Sequence, residues 1–586
     1  MTGDSIPSFA KMLFFGEVEE NQLFPYPLFS AKQKELAIEI ISSVQSLAKD
    51  CFDSEKFDQT EEIPSDVLEQ LSQMGLCGLT VPEEFGGMEL DPSLNARVFS
   101  EISGSDGSIA TTLGAHQSIG YKALLNEGTK EQKEKWLPKL ASGEQWAAFC
   151  LTEPGSGSDA YSIKTKAVDN GDKTYTISGQ KLWITNAGIA DFFTVFCKTD
   201  HQDKDGTKKQ KISCFIVEKS MNGVSVGEKE KKMGIRGSDT RAVFFDKVVV
   251  PAENMIGEPG KGFKIAMNVL NSGRLSLGSG AVGGMKTLIK LATAHTLERK
   301  QFNQHLIDMG MIQEKLVQML ALTYATESMV YLTTGLINEG MKDYSVESAM
   351  CKVFGSEALW EVSDISLQIA AGIGYMREYP YERIMRDSRI NLIFEGTNEI
   401  LRIFIALSGI KGPSDNLKEL GKIADVSKVL NDPIKSLGLL TDFARKRVHK
   451  MIGSKSLSKV HAELKPLGDD LSLMVSEFSI KVENTLIKLG KKIIGNELTQ
   501  KRIADMAISL FCMSAVLSRS SGIIADKSID SETKEQITAL TEFIFNRQKN
   551  VFSESRNQMD QNQDKNIAKI IGFLKQKPSY NFDIID

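Results

Sequence analysis

From Ala31 to about Gly143 the apolar positions recur at helical spacing, as in the run Lys34-Glu-Leu-Ala-Ile-Glu-Ile-Ile-Ser-Ser-Val-Gln-Ser-Leu47 and again from Val67 to Met74. That spacing predicts amphipathic helices with one face turned to a core. Between about Ala147 and Asn254 the pattern shortens to alternating runs: Tyr175 to Gly179, Phe192 to Cys197, Ile212 to Val217 and Ala242 to Phe245. Their β-branched and aromatic residues, bounded by Gly, Asn and Asp, predict an antiparallel sheet domain. From Gly262 to about Ser408 the helical period returns, in segments long enough for a bundle. Pro413-Ser-Asp-Asn416 reads as a linker. The roughly 170 residues beyond it look helical and need a packing partner, either the rest of the chain or another subunit. No repeat at solenoid periods is visible. The expected class is mainly α with a central antiparallel β domain and a C-terminal helical extension, divided at residues 1–146, 147–260, 261–412 and 413–586.

Length agrees with several cores, since 586 residues exceed what one hydrophobic interior serves. Apolar content of 41% and charged content of 25% exclude fibrous and disordered chains. A net charge of -6 supplies no overall basic field, which argues against nucleic acid as the main partner. The 7 cysteines are scattered without a Cys-x-x-Cys, and the 6 histidines form no His-Glu-x-x-His, so neither a disulfide framework nor a metal centre is expected. Cysteine usage fits a reducing compartment. Met1 to Phe15 holds one lysine and no long apolar stretch, so it reads as neither a secretory signal nor an Arg-rich transit peptide. The apolar stretch Met506 to Leu517 is about 12 residues, short of the roughly 20 that span a bilayer, and is expected to be a buried core helix.

Gly278-x-Gly280-x-x-Gly283 matches a dinucleotide fingerprint, but that fingerprint needs a strand before it and a βαβ unit around it. Here the stretch continues as a helix through Met285 to Leu291, so the glycines are expected to permit close helix packing. A P-loop is also absent. Cys150-Leu-Thr-Glu-Pro-Gly-Ser-Gly-Ser-Asp159 lies where helices give way to strands. Its backbone N–H groups, hydroxyls and glycines suit a flat heteroaromatic ring and anionic oxygens, although the same composition alone makes an ordinary Gly/Ser loop. A second segment follows on the sheet domain, Gly179-Gln-Lys-Leu-Trp-Ile-Thr-Asn186, whose tryptophan could equally be core.

Together these two segments resemble the signatures of acyl-CoA dehydrogenases, and the resemblance continues in order. It runs through Met233-Gly-Ile-Arg-Gly-Ser-Asp-Thr240, Phe244 to Asn254, Leu297-Glu-Arg-Lys-Gln-Phe302, Gln368 to Tyr375 and Ile393-Phe-Glu-Gly-Thr-Asn-Glu-Ile-Leu-Arg402. Phe24-Pro-Tyr-Pro27, Leu113-Gly-Ala-His-Gln-Ser-Ile-Gly120 and the C-terminal extension resemble the very-long-chain subgroup. The resemblance implies an FAD-dependent oxidation of acyl-CoA to trans-2-enoyl-CoA in fatty acid β-oxidation, with electrons passed to electron-transferring flavoprotein. It makes Glu395 the base that removes the α-proton, and burial should raise its pKa toward that task.

By the same resemblance FAD is held by Phe149, Leu151, Thr152, Gly157 and Ser158, by Trp183, Ile184 and Thr185, and by Thr397, Asn398 and Glu399. Arg299 and Phe302, facing Gln368 and Gly372, imply a cofactor site completed by a second subunit, hence a homodimer. Ser158, Asn271, Arg274, Phe394 and Gly396 are implied on the substrate; a surface arginine is the plain alternative for Arg274. Two departures stand out: Asn303 replaces the usual glycine after the Phe, and Ala370-Ala371-Gly372 replaces a commoner Gly-Gly pair.

Ala110 and Gly114 fall where medium-chain relatives close the acyl tunnel with two polar side chains. Their small size implies a longer tunnel, with about 0.8 kcal/mol per added buried CH₂. The basic run Arg445 to Lys450 with Lys455 and Lys459, after Leu437 to Leu440, suits either peripheral membrane contact through about 430–460 or a solvated helix face. The expected locations are the cytoplasm or inner membrane surface of a bacterium, or the mitochondrial matrix and inner membrane if a presequence has been removed. Two other functions share the fold: an acyl-CoA oxidase, and a scaffold of the kind that assembles respiratory complex I.

Overall fold

The computed structural model describes residues 6–202, 206–423, 456–580 and 582–584. Contacts divide the chain into two compact units, residues 1–8 with 22–401 and residues 9–21 with 402–586.

The first unit opens with helices α1 (Ala31–Cys51), α2 (Ser65–Gln73), α3 (Pro92–Ser105) and α4 (Gly107–Leu113). Ser30 starts α1 with a capping box to Gln33, and Asp91 and Asp106 cap α3 and α4 by accepting backbone N–H groups; each such cap typically stabilises by about 1 kcal/mol. A π-helical segment, Gly114–Gly120, follows α4.

Eight strands come next: β1 (Ala147–Cys150), β2 (Lys166–Asp169), β3 (Thr174–Thr185), β4 (Phe192–Gln202), β5 (Lys208–Glu218), β6 (Val224–Lys229), β7 (Thr240–Pro251) and β8 (Met255–Ile256). They run in the order β6-β7-β3-β2-β4-β5-β8, with β1 paired to β4. The sheet is antiparallel except that β1 and β2 each pair with β4 in parallel.

One detail differs from the alternating pattern read in the sequence: Phe192–Cys197 and Ile212–Val217 are buried at every position. The period of two survives as a division between two cores. Phe192, Phe196, Ile212, Cys214 and Ile216 join a cluster with Leu140, Ile265 and Val269. Their neighbours Phe193, Val195, Cys197, Phe215 and Val217 join the sheet's other face. A strand covered on both sides loses its polar face.

Helices α5 (Gly262–Glu298), α6 (Gly310–Asn338) and α7 (Ser345–Ala370) complete the unit. The three decoy glycines lie inside α5. A Cβ on Gly283 would stand 1.8 Å from the Ser100 carbonyl oxygen, so glycine here lets α3 approach the backbone of α5. No βαβ unit surrounds them.

The linker expected at Pro413–Asn416 is helix instead, inside α8 (Asn398–Ile423). Ile405, Ala406, Gly409, Ile410 and Pro413 are buried, and that apolar stripe outweighs the roughly 3 kcal/mol an interior proline costs.

In the second unit follow α9 (Lys465–Leu489), α10 (Glu497–Ala525), α11 (Ser531–Gln558) and α12 (Asp564–Gln576). α10 is long and apolar enough to cross a membrane by length and composition, and Met506–Leu517 is buried throughout. Phe9 meets Phe511, and Phe14 meets Phe478 edge-on at 4.9 Å, so residues 9–21 belong with this unit. The basic run proposed for membrane contact lies outside the described residues except for its end. There Lys459 donates from its ammonium to Asn21 Oδ1 at 2.6 Å.

Candidate active site

Glu395 sits between the last short turn of the bundle and α8, with a left-handed φ of 59°. A glutamate pays for that conformation in steric strain, so the loop needs outside support. Two buried cations give it. Arg274 on α5 donates from Nε to the Glu395 carbonyl oxygen at 3.1 Å, and from a terminal nitrogen to Asn271 Oδ1 at 3.1 Å. Lys352 on α7, fully buried, donates to the Gly396 carbonyl oxygen at 2.8 Å and to Asn398 Oδ1 at 2.7 Å. Asn398 in turn donates to Ser356 and Glu357, each at 3.0 Å. The consecutive carbonyls of Glu395 and Gly396 are thus each held by a buried cation from a different helix.

The carboxylate is treated differently. Oε2 of Glu395 is shielded from solvent and has no hydrogen-bond partner. It lies against bare backbone, since a Cβ on Gly273 would stand 2.8 Å from it. Burial raises the pKa to about 7, while the positive charges of Arg274 and Lys352 pull it down. Burial also lowers the Lys352 pKa to about 7, against the pull of Glu395. A carboxyl group whose burial outweighs two nearby cations is a base matched to neutral pH.

One cavity brings Glu395 together with Phe394, Thr185, Ala110 and Gly114. Its remaining wall includes small positions of α5, Gly273, Gly280 and Gly284, which leave a trough along that helix.

The sheet contributes the other wall. β3 and β7 shift register between Lys181 and Ile184, and in that bulge Trp183 takes a φ of 56° and stands 62% exposed. The indole is thus turned outward from the bulge, next but one to the cavity-lining Thr185. Ile184 is instead buried in the sheet core, so only its backbone can face a ligand.

The loop after β1 is anchored from beneath. Buried Lys181 donates to the carbonyls of Leu151 (3.1 Å) and Phe196 (2.8 Å) and to Glu153 Oε1 (2.8 Å). Glu153 also accepts from the Lys164 and Thr165 amides. Leu151 is buried, Phe149 and Thr152 are partly exposed, and Gly157 and Ser158 are exposed. A Cβ on Gly157 would meet nothing within 4 Å, so the loop surface is open.

Some sequence-predicted residues lie apart from the cavity. Arg299 and Phe302 follow α5, with Phe302 90% exposed, and Gln368 and Gly372 lie at and beyond the end of α7. None of the four lines the cavity. Thr397 immediately precedes α8 and Glu399 lies in its first turn; Asn398, between them, turns its carboxamide to Lys352, Ser356 and Glu357 inside the protein. Sequence reasoning missed Lys352, whose only signal is a lone cation in the apolar, small-residue run Ala349 to Gly355. Among the described residues no cluster of His, Cys, Asp or Glu could hold a metal.

A helical domain, a sheet domain and a helical bundle around one buried carboxylate define an enzyme site of a recognisable class. Residues 35–144, 148–248 and 260–409 match the family patterns described as the N-terminal, middle and C-terminal domains of acyl-CoA dehydrogenase. Residues 462–578 match "ACAD9/ACADV, C-terminal domain". The chain is 44% identical to the very long-chain specific acyl-CoA dehydrogenase, mitochondrial, of Rattus norvegicus, over 89% of this chain and 79% of that protein. A crystal structure of an acyl-CoA dehydrogenase complexed with FAD from Bacillus anthracis superposes with a TM-score of 0.77 at 32% identity, covering 95% of this chain and 92% of that one. Butyryl-CoA dehydrogenase from Megasphaera elsdenii gives 0.62 at 33%, covering 66% of this chain and all (100%) of its own. The chain belongs to the acyl-CoA dehydrogenase family.

Proposed function

We propose that this protein is an FAD-dependent dehydrogenase of long- and very-long-chain acyl-CoA, forming trans-2-enoyl-CoA in fatty acid β-oxidation. Electrons pass on to electron-transferring flavoprotein. The observation that carries the reading is the unpartnered, solvent-shielded Oε2 of Glu395 in a cavity shared with Thr185, Ala110 and Gly114.

A thioester α-C–H is a weak acid, so its removal needs a positioned base and donors for the oxygen that gains charge. Glu395 takes the proton, and its raised pKa makes the carboxylate basic enough to do so near neutral pH. Its backbone N–H binds the thioester oxygen in this reading. Arg274 and Lys352 hold that backbone in place from behind, leaving the carboxylate free to act.

The residues present fit FAD. Trp183 offers an exposed ring face beside Thr185, and the loop Thr152–Ser158 offers open backbone and hydroxyls. Phe149, Leu151 and Ile184 support these groups, and Thr397 and Glu399 add contacts from the start of α8. When bound, FAD supplies the hydride acceptor for the β-carbon.

Exposed Phe302 supports a cofactor site completed in a homodimer, with Arg299 and Phe302 of one copy opposite Gln368 and Gly372 of the other. Ser158, Asn271, Arg274, Phe394 and Gly396 serve the CoA thioester, and small side chains at 110 and 114 admit a long tail. The segment at about 430–460 is the proposed peripheral membrane contact. The compartment is the mitochondrial matrix and inner membrane, or in a bacterium the cytoplasm and inner membrane surface.

The test is turnover with acyl-CoA of graded length, using electron-transferring flavoprotein or a dye as acceptor and assaying peroxide in parallel. Palmitoyl-CoA should be oxidised well above octanoyl-CoA without stoichiometric peroxide. The reverse order contradicts the chain-length reading, and peroxide matching turnover makes the protein an oxidase.

A further inference from the structure

The neighbouring face of α5 lines a second cavity, which the dehydrogenation does not use. Ser272, Ser276 and Ser279 face it from α5, and Gln117 and Lys122 from the π-helical segment and the short helix after it. It encloses about 310 Å³. Amides, hydroxyls and one ammonium reach it, and no carboxylate does.

Two of its side chains carry unpartnered atoms, and its one cation has no acidic partner. Gln117 is 2% exposed, yet neither its carboxamide oxygen nor its nitrogen has a hydrogen-bond partner. Asn95 Oδ1 is shielded and unpartnered as well. Among the described residues the Lys122 ammonium meets the Thr80 hydroxyl, at 3.4 Å, and burial with no opposing acid lowers its pKa to about 8. Buried polar groups are normally paired, and an unpaired amide in a cavity whose one cation faces no acid marks a place where a ligand completes the set.

We propose that this cavity binds a small oxyanion, a carboxylate or a phosphate, through the Lys122 ammonium and the Gln117 amide N–H groups. Tyr344 and Ser272, whose hydroxyls lie 3.3 Å apart, also line the cavity and can add an O–H donor. The two cavities share a wall one hydrogen bond thick: Ser118 and Ser276 line both and are joined at 2.9 Å. An anion that accepts from one of these hydroxyls fixes the direction of their bond, the other serine then donating, so occupancy is felt in the acyl-side cavity. The proposal does not depend on the Glu395 chemistry.

It is tested by melting the FAD-loaded full-length protein in rising inorganic phosphate and, separately, acetate, with ionic strength held constant by chloride. The expected result is a saturable rise in melting temperature that chloride does not give. The anion that saturates at lower concentration identifies the source. In Gln117→Leu the half-saturating concentration rises about tenfold or more, as loss of a hydrogen bond to a charged group implies, and Lys122→Arg keeps the response that Lys122→Met loses. At the anion concentration that just saturates the wild type, KM for the acyl thioester also changes, and in Gln117→Leu that change needs correspondingly more anion. No rise beyond chloride, or a rise unchanged in Gln117→Leu, overturns the proposal even if Lys122→Met fails to fold.

Discussion

At position 395 the residue and its supports have separate tasks, and Lys352 separates them experimentally. The sign follows from the charges: a carboxyl raised by burial loses its proton later in pH, and a nearby ammonium brings that loss earlier. Removing the ammonium in Lys352→Met should therefore move the acidic limb of the kcat/KM profile to higher pH, by about one unit for each 1.4 kcal/mol of lost attraction. A limb that stays in place, or moves down, would remove Lys352 from this role. Two further residues depart from the family pattern at left-handed positions. Asn303 has φ 62° and Ala371 has φ 54° with ψ -130°. Asparagine tolerates its position, whereas alanine is strained at its own. Ala371→Gly should raise stability by about 1 kcal/mol after the entropy of glycine is deducted, read as an upward shift in denaturation midpoint; a drop would mean the strain is absent. Glu395 was legible because its tetrapeptide surroundings carry a resemblance. Lys352 was not, because a lone lysine in a helix gives no sign in sequence of which way it faces.

At the scale of elements, the sequence placed the strands and principal helices correctly where one period persists. It failed where tertiary burial overrides a local signal. Pro413 reads as a stop, but the buried stripe from Ile405 to Pro413 keeps α8 helical. The bulge in β3 was equally hidden, since nothing in Leu182-Trp-Ile-Thr185 announces a register shift that exposes one indole and buries its neighbour. That bulge is where the sheet meets its cofactor in the proposed function. Trp183→Ala should weaken FAD binding by up to about tenfold, the upper end of aromatic stacking at 0.5–1.5 kcal/mol. The ratio of flavin to protein absorbance after dilution and desalting measures it. Retention equal to the wild type would show that the indole does not stack.

On the scale of the whole molecule, the proposed function has Arg299 and the exposed Phe302 completing the FAD site of a second copy. Arg299→Ala should release FAD while leaving far-ultraviolet circular dichroism unchanged. Mixing it with a Gln368→Ala chain should give hybrid dimers in which one of the two sites is intact, recovering part of the flavin content. No recovery in verified hybrids would place both residues in the same site of one chain. The extension lies outside that argument; its apolar stretch Met506–Leu517 read as core because it is short, and it is buried within α10. The central claim is that one buried carboxylate at 395 removes the substrate proton in a slot shared with the flavin. It is tested most directly by mixing oxidised protein with palmitoyl-CoA without oxygen or another acceptor and following the visible flavin band. The wild type should bleach rapidly, and Glu395→Gln, with equal FAD content, should bleach at least about a thousandfold more slowly, as loss of an essential base implies. A Gln variant that bleaches at the wild-type rate would contradict it.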